Sequence, residues 1–200
     1  MSSLVISGDT SGTVTLAAPA VAGSNTITVQ AATGTMSVNT LSTALAYNWN
    51  GLTTNTSLDF TGLPSWVKRI TVMFQGVSTS GSALVLIQLA SSGTVETTGY
   101  SGSTQYAASY VAFSSYTGVP IDTASSVAAA SVRSGSVVFT LLNSTTNLWA
   151  VFGGVSTTTA AALIMPAGTK STSAALDRIR ITTSGSDTFD AGSVNIMYEG

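Results

Sequence analysis

Two hundred residues are enough for one full-sized domain with a sizeable hydrophobic core. The chain has no histidine, no cysteine, only 7% charged residues and a net charge of -2. That composition excludes histidine-based triads and disulfide scaffolds, argues against zinc, and gives no general attraction to nucleic acid or to an anionic membrane.

Residues 1–45 contain no aromatic residue and a single charge, Asp9. Short alternating pieces at 13–16 and 26–29 are separated by Gly8, Gly12, Gly23 and Gly34, a strand–turn pattern. Strands this short do not make a stable sheet alone. The segment is expected to pair with the body, with other copies of itself or with a neighbouring protein, unless it is a low-complexity leader.

Residues 46–200 carry all the aromatics and every other charge. Weak strand signals occur at 58–61, 94–98 and 110–116. At 69–75 the alternation of Ile70, Val72 and Phe74 with polar or longer residues predicts a strand with one apolar face. The run 83–89 is apolar on both faces, as in a central strand covered on both sides. Segment 125–132 is alanine-rich and compatible with either helix or strand. Strands are expected at 137–142 and 148–155, joined by a polar hairpin loop at 143–147. A strand at 159–165 is expected to stop at the turn signal Pro166-Ala167-Gly168. At 176–182, Ile179 and Ile181 share one face and Arg178 and Arg180 the other. The last strand, 193–198, points Val194, Ile196 and Tyr198 inward. Nine or ten short strands at this spacing predict an all-β fold, a jelly-roll-like antiparallel β-sandwich over 46–200, with 1–45 as a short β-rich attachment or stem segment. The expected core is Ile70, Val72, Phe74, Leu84, Leu86, Phe139, Ile179, Ile181 and Ile196. Trp49, Trp66 and Trp149 are expected to anchor it.

The chemistry on offer is sparse. Walker and dinucleotide fingerprints are absent. Glycosidases need only two carboxylates, and Asp59, Glu96, Asp122, Asp177, Asp187 and Asp190 are available, but no spacing singles out a pair. Asp187 and Asp190 lie in a glycine-flanked turn, where Asp side chains usually bond their own backbone; calcium is the other reading. No metal or cofactor is expected. The stretch from Tyr100 to Tyr116 sets Tyr100, Tyr106, Tyr110 and Tyr116 among serines and glycines, the residue types of adaptable binding loops. The alternative is that these tyrosines line a strand. No apolar run approaches the roughly 20 residues of a membrane span. The N-terminus has neither the basic stretch nor the apolar core of a signal peptide. So little surface charge predicts burial in an oligomer or a larger particle.

Four segments carry a resemblance. Residues 8–35, from Gly8-Asp9-Thr10-Ser11-Gly12 to Ala31-Ala32-Thr33-Gly34-Thr35, resemble the N-terminal segment of tail-fibre and related virion proteins of tailed bacteriophages. Residues 62–74, Gly62-Leu63-Pro64-Ser65-Trp66 onward, are similar to the first strong strand of their distal domain. Residues 176–183 and 187–199 look like their terminal pair of strands. The resemblance implies a non-enzymatic virion part, commonly trimeric and assembled in the host cytoplasm. Residues 1–45 would dock on another virion protein. The head would bind a host surface glycan or protein, without nucleic-acid binding or membrane insertion. Host-binding variation is expected at about 95–165, which holds the four tyrosines. A short tail fibre or receptor-binding component is the first expectation. A capsid decoration or head-fibre protein is the second, and a glycan depolymerase the third.

Overall fold

A computed structural model describes residues 3–7, 13–17, 47–48, 55–106, 109–129, 131–158 and 162–200. The chain divides into two compact units, Met1–Val38 and Asn39–Gly200. In the first, β1 (Ser3–Ser7) pairs antiparallel with β2 (Thr13–Ala17), setting Leu4 opposite Leu16 and Ile6 opposite Val14. The strand expected at 26–29 and the anchor Trp49 lie outside the described residues.

The second unit is an all-β, antiparallel sandwich. Its strands are β3 (Tyr47–Asn48), β4 (Ser57–Thr61), β5 (Arg69–Thr79), β6 (Val85–Ser91), β7 (Thr94–Val95), β8 (Tyr100–Tyr106), β9 (Ser109–Ala112), β10 (Val119–Pro120), β11 (Arg133–Asn143), β12 (Leu148–Thr157), β13 (Ala162–Ser171), β14 (Leu176–Thr183) and β15 (Phe189–Glu199). The smaller sheet runs β10-β6-β14-β4, with β7 paired to β6. The larger runs β3-β15-β5-β11-β12-β13-β8-β9. From β4 onward the chain crosses repeatedly between the sheets, as in a jelly roll. In the larger sheet β11, β12 and β13 form a meander, and β15 returns to pair with β5.

The core is the layer between the sheets. Leu58 and Phe60 on β4, Val85, Ile87 and Leu89 on β6, and Ile179 and Ile181 on β14 face Ile70, Val72 and Phe74 on β5, Val137 and Phe139 on β11, and Val194 and Ile196 on β15. All nine core residues expected from the alternation are buried. All of β6 is buried, as its two-sided apolar pattern predicts.

Glycine keeps two long strands in phase. In β5 the buried positions are Ile70, Val72 and Phe74, then Val77 and Thr79, so the period slips by one residue. The slip falls at Gly76, at φ +65°, where the register against β11 also shifts. β15 slips likewise around Gly192, at φ +88°. A Cβ on Gly192 would come 2.6 Å from the Cα of Val77, so the two bulges lie side by side and leave no room for a side chain.

Three expectations need correction. The strand expected to end at Met165 continues through Pro166 to Ser171. Its ladder to β12 is interrupted beside the proline, between Ala167–Phe152 and Ile164–Val155, so the missing N–H breaks little pairing. Among the described residues of 125–132 there is neither helix nor strand. That loop is tied down instead by a buried ion pair: Arg133 donates its Nε–H to Asp122 at 2.8 Å, with both side chains fully buried. Trp66 is not a core anchor. It is 43% exposed, its ring tilted against Tyr198 with centroids 5.9 Å apart, whereas Trp149 is buried as expected. Among the described residues no helix is long and apolar enough to cross a membrane.

Candidate interaction surface

The outward face of the larger sheet follows from its register. On β11, β12 and β13 the buried residues Val137, Phe139, Trp149, Val151, Val155 and Ile164 point into the sandwich. The alternate residues must point away. Register places Val138 opposite Phe152, and Phe152 opposite Ala167. One row further, Met165 is opposite Gln105 and Gln105 opposite Tyr110. Ser156 is opposite Leu163. Phe152 is 65% exposed, Leu163 57%, Met165 41% and Tyr110 71%. Shallow hollows of about 370 and 320 Å³ flank the Phe152 ring, one lined by Arg69, Val138, Thr140 and Ala150, the other by Ser136, Gly154, Leu163 and Met165.

This face is electrically neutral from β11 to β9. The charged residues on those five strands are Arg133 and Lys170, and both are buried on the inner side. With strands about 4.8 Å apart, the face spans roughly 20 Å across the sheet. It offers apolar, hydroxyl and small side chains. Such a patch stays costly in water and becomes favourable when another apolar surface covers it.

The four tyrosines separate. Tyr100 is corrected as a receptor contact: it is 3% exposed and belongs to the core. Its hydroxyl accepts a hydrogen bond from the Leu89 N–H at 2.8 Å and donates to the Glu96 carbonyl at 2.9 Å, while its ring lies 5.4 Å under the Lys170 Nζ. Burial raises its pKa above the ordinary tyrosine range. Tyr106 and Tyr116 are half-buried. Tyr110 alone stands out from the surface, in line with Met165. The stretch is a strand, β8, followed by β9 and a short 3-10 turn at Phe113–Ser115, so the strand reading describes Tyr100 and Tyr106 on β8 and Tyr110 on β9, while Tyr116 closes the turn.

Each carboxylate examined as a catalytic or calcium candidate has its own partner. Asp59 accepts from Arg180 Nε at 2.6 Å and from Arg178 Nη1 at 3.2 Å. Glu96 pairs with Lys170 and accepts from Ser91 at 2.6 Å and from the Ser173 N–H at 2.7 Å. Asp122 holds Arg133 and the Val85 N–H. Asp177 accepts from the Gly93 N–H at 2.6 Å, Asp187 from the Ala83 N–H at 2.6 Å, and Asp190 from the Ser78 hydroxyl. Asp187 thus braces the loop ahead of β6 and Asp190, on β15, ties to Ser78 on β5; both bond residues distant in sequence, where a bond to their own turn was expected. Among the described residues no group of three or more carboxylates is placed to hold a metal.

Sequence reasoning missed Phe152, Leu163 and Met165. A signal was present: 148–152 and 163–165 are apolar on both faces, the same pattern that marked 83–89. In β6 the second face is buried too; in β12 and β13 Phe152, Leu163 and Met165 are exposed. Comparison with protein-family models, curated proteins and solved structures finds no match for this chain.

Proposed function

We propose that this chain is a non-catalytic structural component of a bacteriophage particle, a short tail fibre or receptor-binding part that works as a homotrimer. The neutral outer face of β11, β12, β13, β8 and β9 carries the reading. These five strands present no outward charge, with Arg69 of β5 at their border, so the face can meet its own copy with little like-charge repulsion, and its exposed Phe152, Leu163 and Met165 gain by being covered. The low charge of the whole chain and the resemblance of 8–35, 62–74, 176–183 and 187–199 to virion proteins support the same role. Residues 1–45 would attach the trimer to a neighbouring virion protein. Three heads on one stem would multiply a weak contact to the host surface.

Light scattering on the full chain tests the proposal. The expected mass is that of three 20.1 kDa protomers. Phe152→Asp places a charge in the middle of the face and is expected to shift the chain toward monomer with unchanged circular dichroism. A wild-type chain that is monomeric at micromolar concentration would overturn the proposal. So would a Phe152→Asp trimer as tight as the parent.

A further inference from the structure

Along β12 the outward positions are Ala150, Phe152, Gly154 and Ser156, so one large side chain stands among small ones. Opposite Phe152 stand Val138 on β11 and Ala167 on β13, both shorter than the phenyl ring. Two residues on, Gly154 is opposite Ser136, and the register kept on both sides of Pro166 sets it level with Met165. Ser136, Leu163 and Met165 wall the hollow of about 320 Å³, and Gly154 leaves its floor bare. A protruding ring and a hollow thus lie side by side on one face, about 7 Å apart along the strand.

The fold itself does not call for glycine at 154. Its φ is not in the left-handed region, and its pairing with β11 runs on without a bulge. A Cβ there would meet only the Leu163 Cδ1, at 3.4 Å, an ordinary contact with an exposed side chain. Gly153 is the opposite case. A Cβ there would lie 2.6 Å from the Ser136 carbonyl oxygen, so only glycine fits. Glycine inside a strand weakens it, and where no bulge or bend explains it, it marks a place that another surface approaches closely.

We infer that the hollow at Gly154 is the seat for Phe152 of a neighbouring copy, so that each protomer gives one ring and receives one. This rests on the self-association proposed above and assigns it a specific contact. An apolar cavity of roughly 150 Å³ holds a benzene ring, so the hollow has room for a phenyl side chain. Leu163 and Met165 supply apolar walls, and a thioether is a favourable neighbour for an aromatic ring. Among the described residues the lining carries no charge, so seating the ring strips no ion of its water. Ring and seat occur once each on the same neutral face, which makes a second copy the occupant. Because they are separate spots, three copies can pass the contact around a closed cycle, each Phe152 to the next protomer.

Analytical ultracentrifugation of the full chain tests the seat. Gly154→Leu fills the hollow from a position with space for a side chain, and is expected to raise the dissociation constant about tenfold or more with unchanged circular dichroism. Gly154→Val, with a better strand former, decides the matter if Gly154→Leu does not fold. Ser101 is exposed in the same outward row as Thr169 and Ala150, outside the hollow. Ser101→Leu adds the same side chain there and is expected to change association by less than about threefold. A folded Gly154 variant that associates as tightly as the parent overturns the seat and leaves the three-copy reading standing, as does a Ser101→Leu chain that dissociates as readily as Gly154→Leu. A parent that forms only pairs, and loses them on Gly154→Leu, sinks the three-copy reading and leaves the seat intact. A monomeric parent overturns both.

Discussion

On the smaller sheet, the outward residues Asp59, Arg178 and Arg180 form ion pairs across two strands, and Gln88 donates to the Thr117 carbonyl at 2.8 Å. On the larger sheet, the outward residues from β11 to β9 carry no charge and present Phe152, Leu163, Met165 and Tyr110 to water. Both faces belong to one sandwich and are built on strands of similar pattern. A chain with only 14 charged residues, six basic and eight acidic, has spent three of them to finish one face and left the other bare. The ionic face pairs Asp59 with Arg178 and Arg180 within the protomer; the bare one gains from being covered.

The sharpest way to break this comparison uses two phenylalanines on neighbouring strands. Phe139 on β11 is fully buried and Phe152 on β12 is exposed. Phe139→Ala should cost about 3–5 kcal/mol of stability, through lost burial and the cavity left behind. Phe152→Ala should cost the isolated protomer less than about 0.5 kcal/mol, as surface substitutions do. Any larger loss from Phe152→Ala should depend on protein concentration, because it then comes from dissociation. Urea unfolding at several concentrations separates these outcomes. A concentration-independent loss for Phe152→Ala close to that of Phe139→Ala would show that the two faces of the larger sheet are assigned the wrong way round.

Charges held inside the sandwich give a second, smaller contrast. Glu96 pairs with Lys170, whose side chain is buried on the inner side of β13. Burial works against the Glu96 carboxylate, but hydrogen bonds from Lys170, Ser91 and Ser173 outweigh it and bring its pKa down to about 2 from an ordinary 4.5. A carboxyl whose folded pKa is depressed binds its proton more readily when unfolded. Its stabilisation is complete above the ordinary value and is lost as pH falls toward the folded one. The urea midpoint should therefore drop between pH about 4.5 and about 2. Glu96→Gln should be less stable at neutral pH and show a shallower fall through that window. An equally steep fall in the variant would place the acid sensitivity elsewhere.

Much of the sandwich was legible in the sequence because alternation reports which residues can face a core. Ile70, Val72 and Phe74 announce β5, and Ile179 and Ile181 announce β14. Two things escaped that logic. Where glycine inserts a bulge, as at Gly76 and Gly192, the period slips and the pattern no longer reads as one strand. Where a strand is apolar on both faces, alternation is silent about what covers the second face. β6 and β12 look alike for this reason, yet one is wholly buried and the other exposes Phe152. The tyrosines escaped for a related reason. Tyr100 can be buried because its hydroxyl meets the Leu89 N–H and the Glu96 carbonyl, partners that only the folded register supplies. Trp66 and Trp149 are the same residue type, and neighbouring sequence does not say which will be covered.

The smallest expected effect lies on the finished face and tests whether it is finished. Arg180 donates to Asp59 through Nε at 2.6 Å and Nη2 at 2.8 Å, a two-pronged contact, with side chains 32% and 25% exposed. The Arg180 hydrogen bonds hold the Asp59 carboxyl below its ordinary pKa of 3.8, against the effect of burial. That stabilisation is present at neutral pH and is lost only as pH falls through the lowered pKa. Water and salt screen a pair this accessible, so Asp59→Asn should cost about 0.5–1 kcal/mol. The cost should shrink between about 0.1 M and about 1 M salt, as the screening length falls from roughly 10 Å to 3 Å. Its oligomeric state should match the parent, in contrast to Phe152→Asp. Loss of the proposed trimer on Asp59→Asn would mean that the ionic face is also an interface. The division between a sheet whose outward charges pair within the protomer and a sheet whose outward face is left apolar would then have to be redrawn.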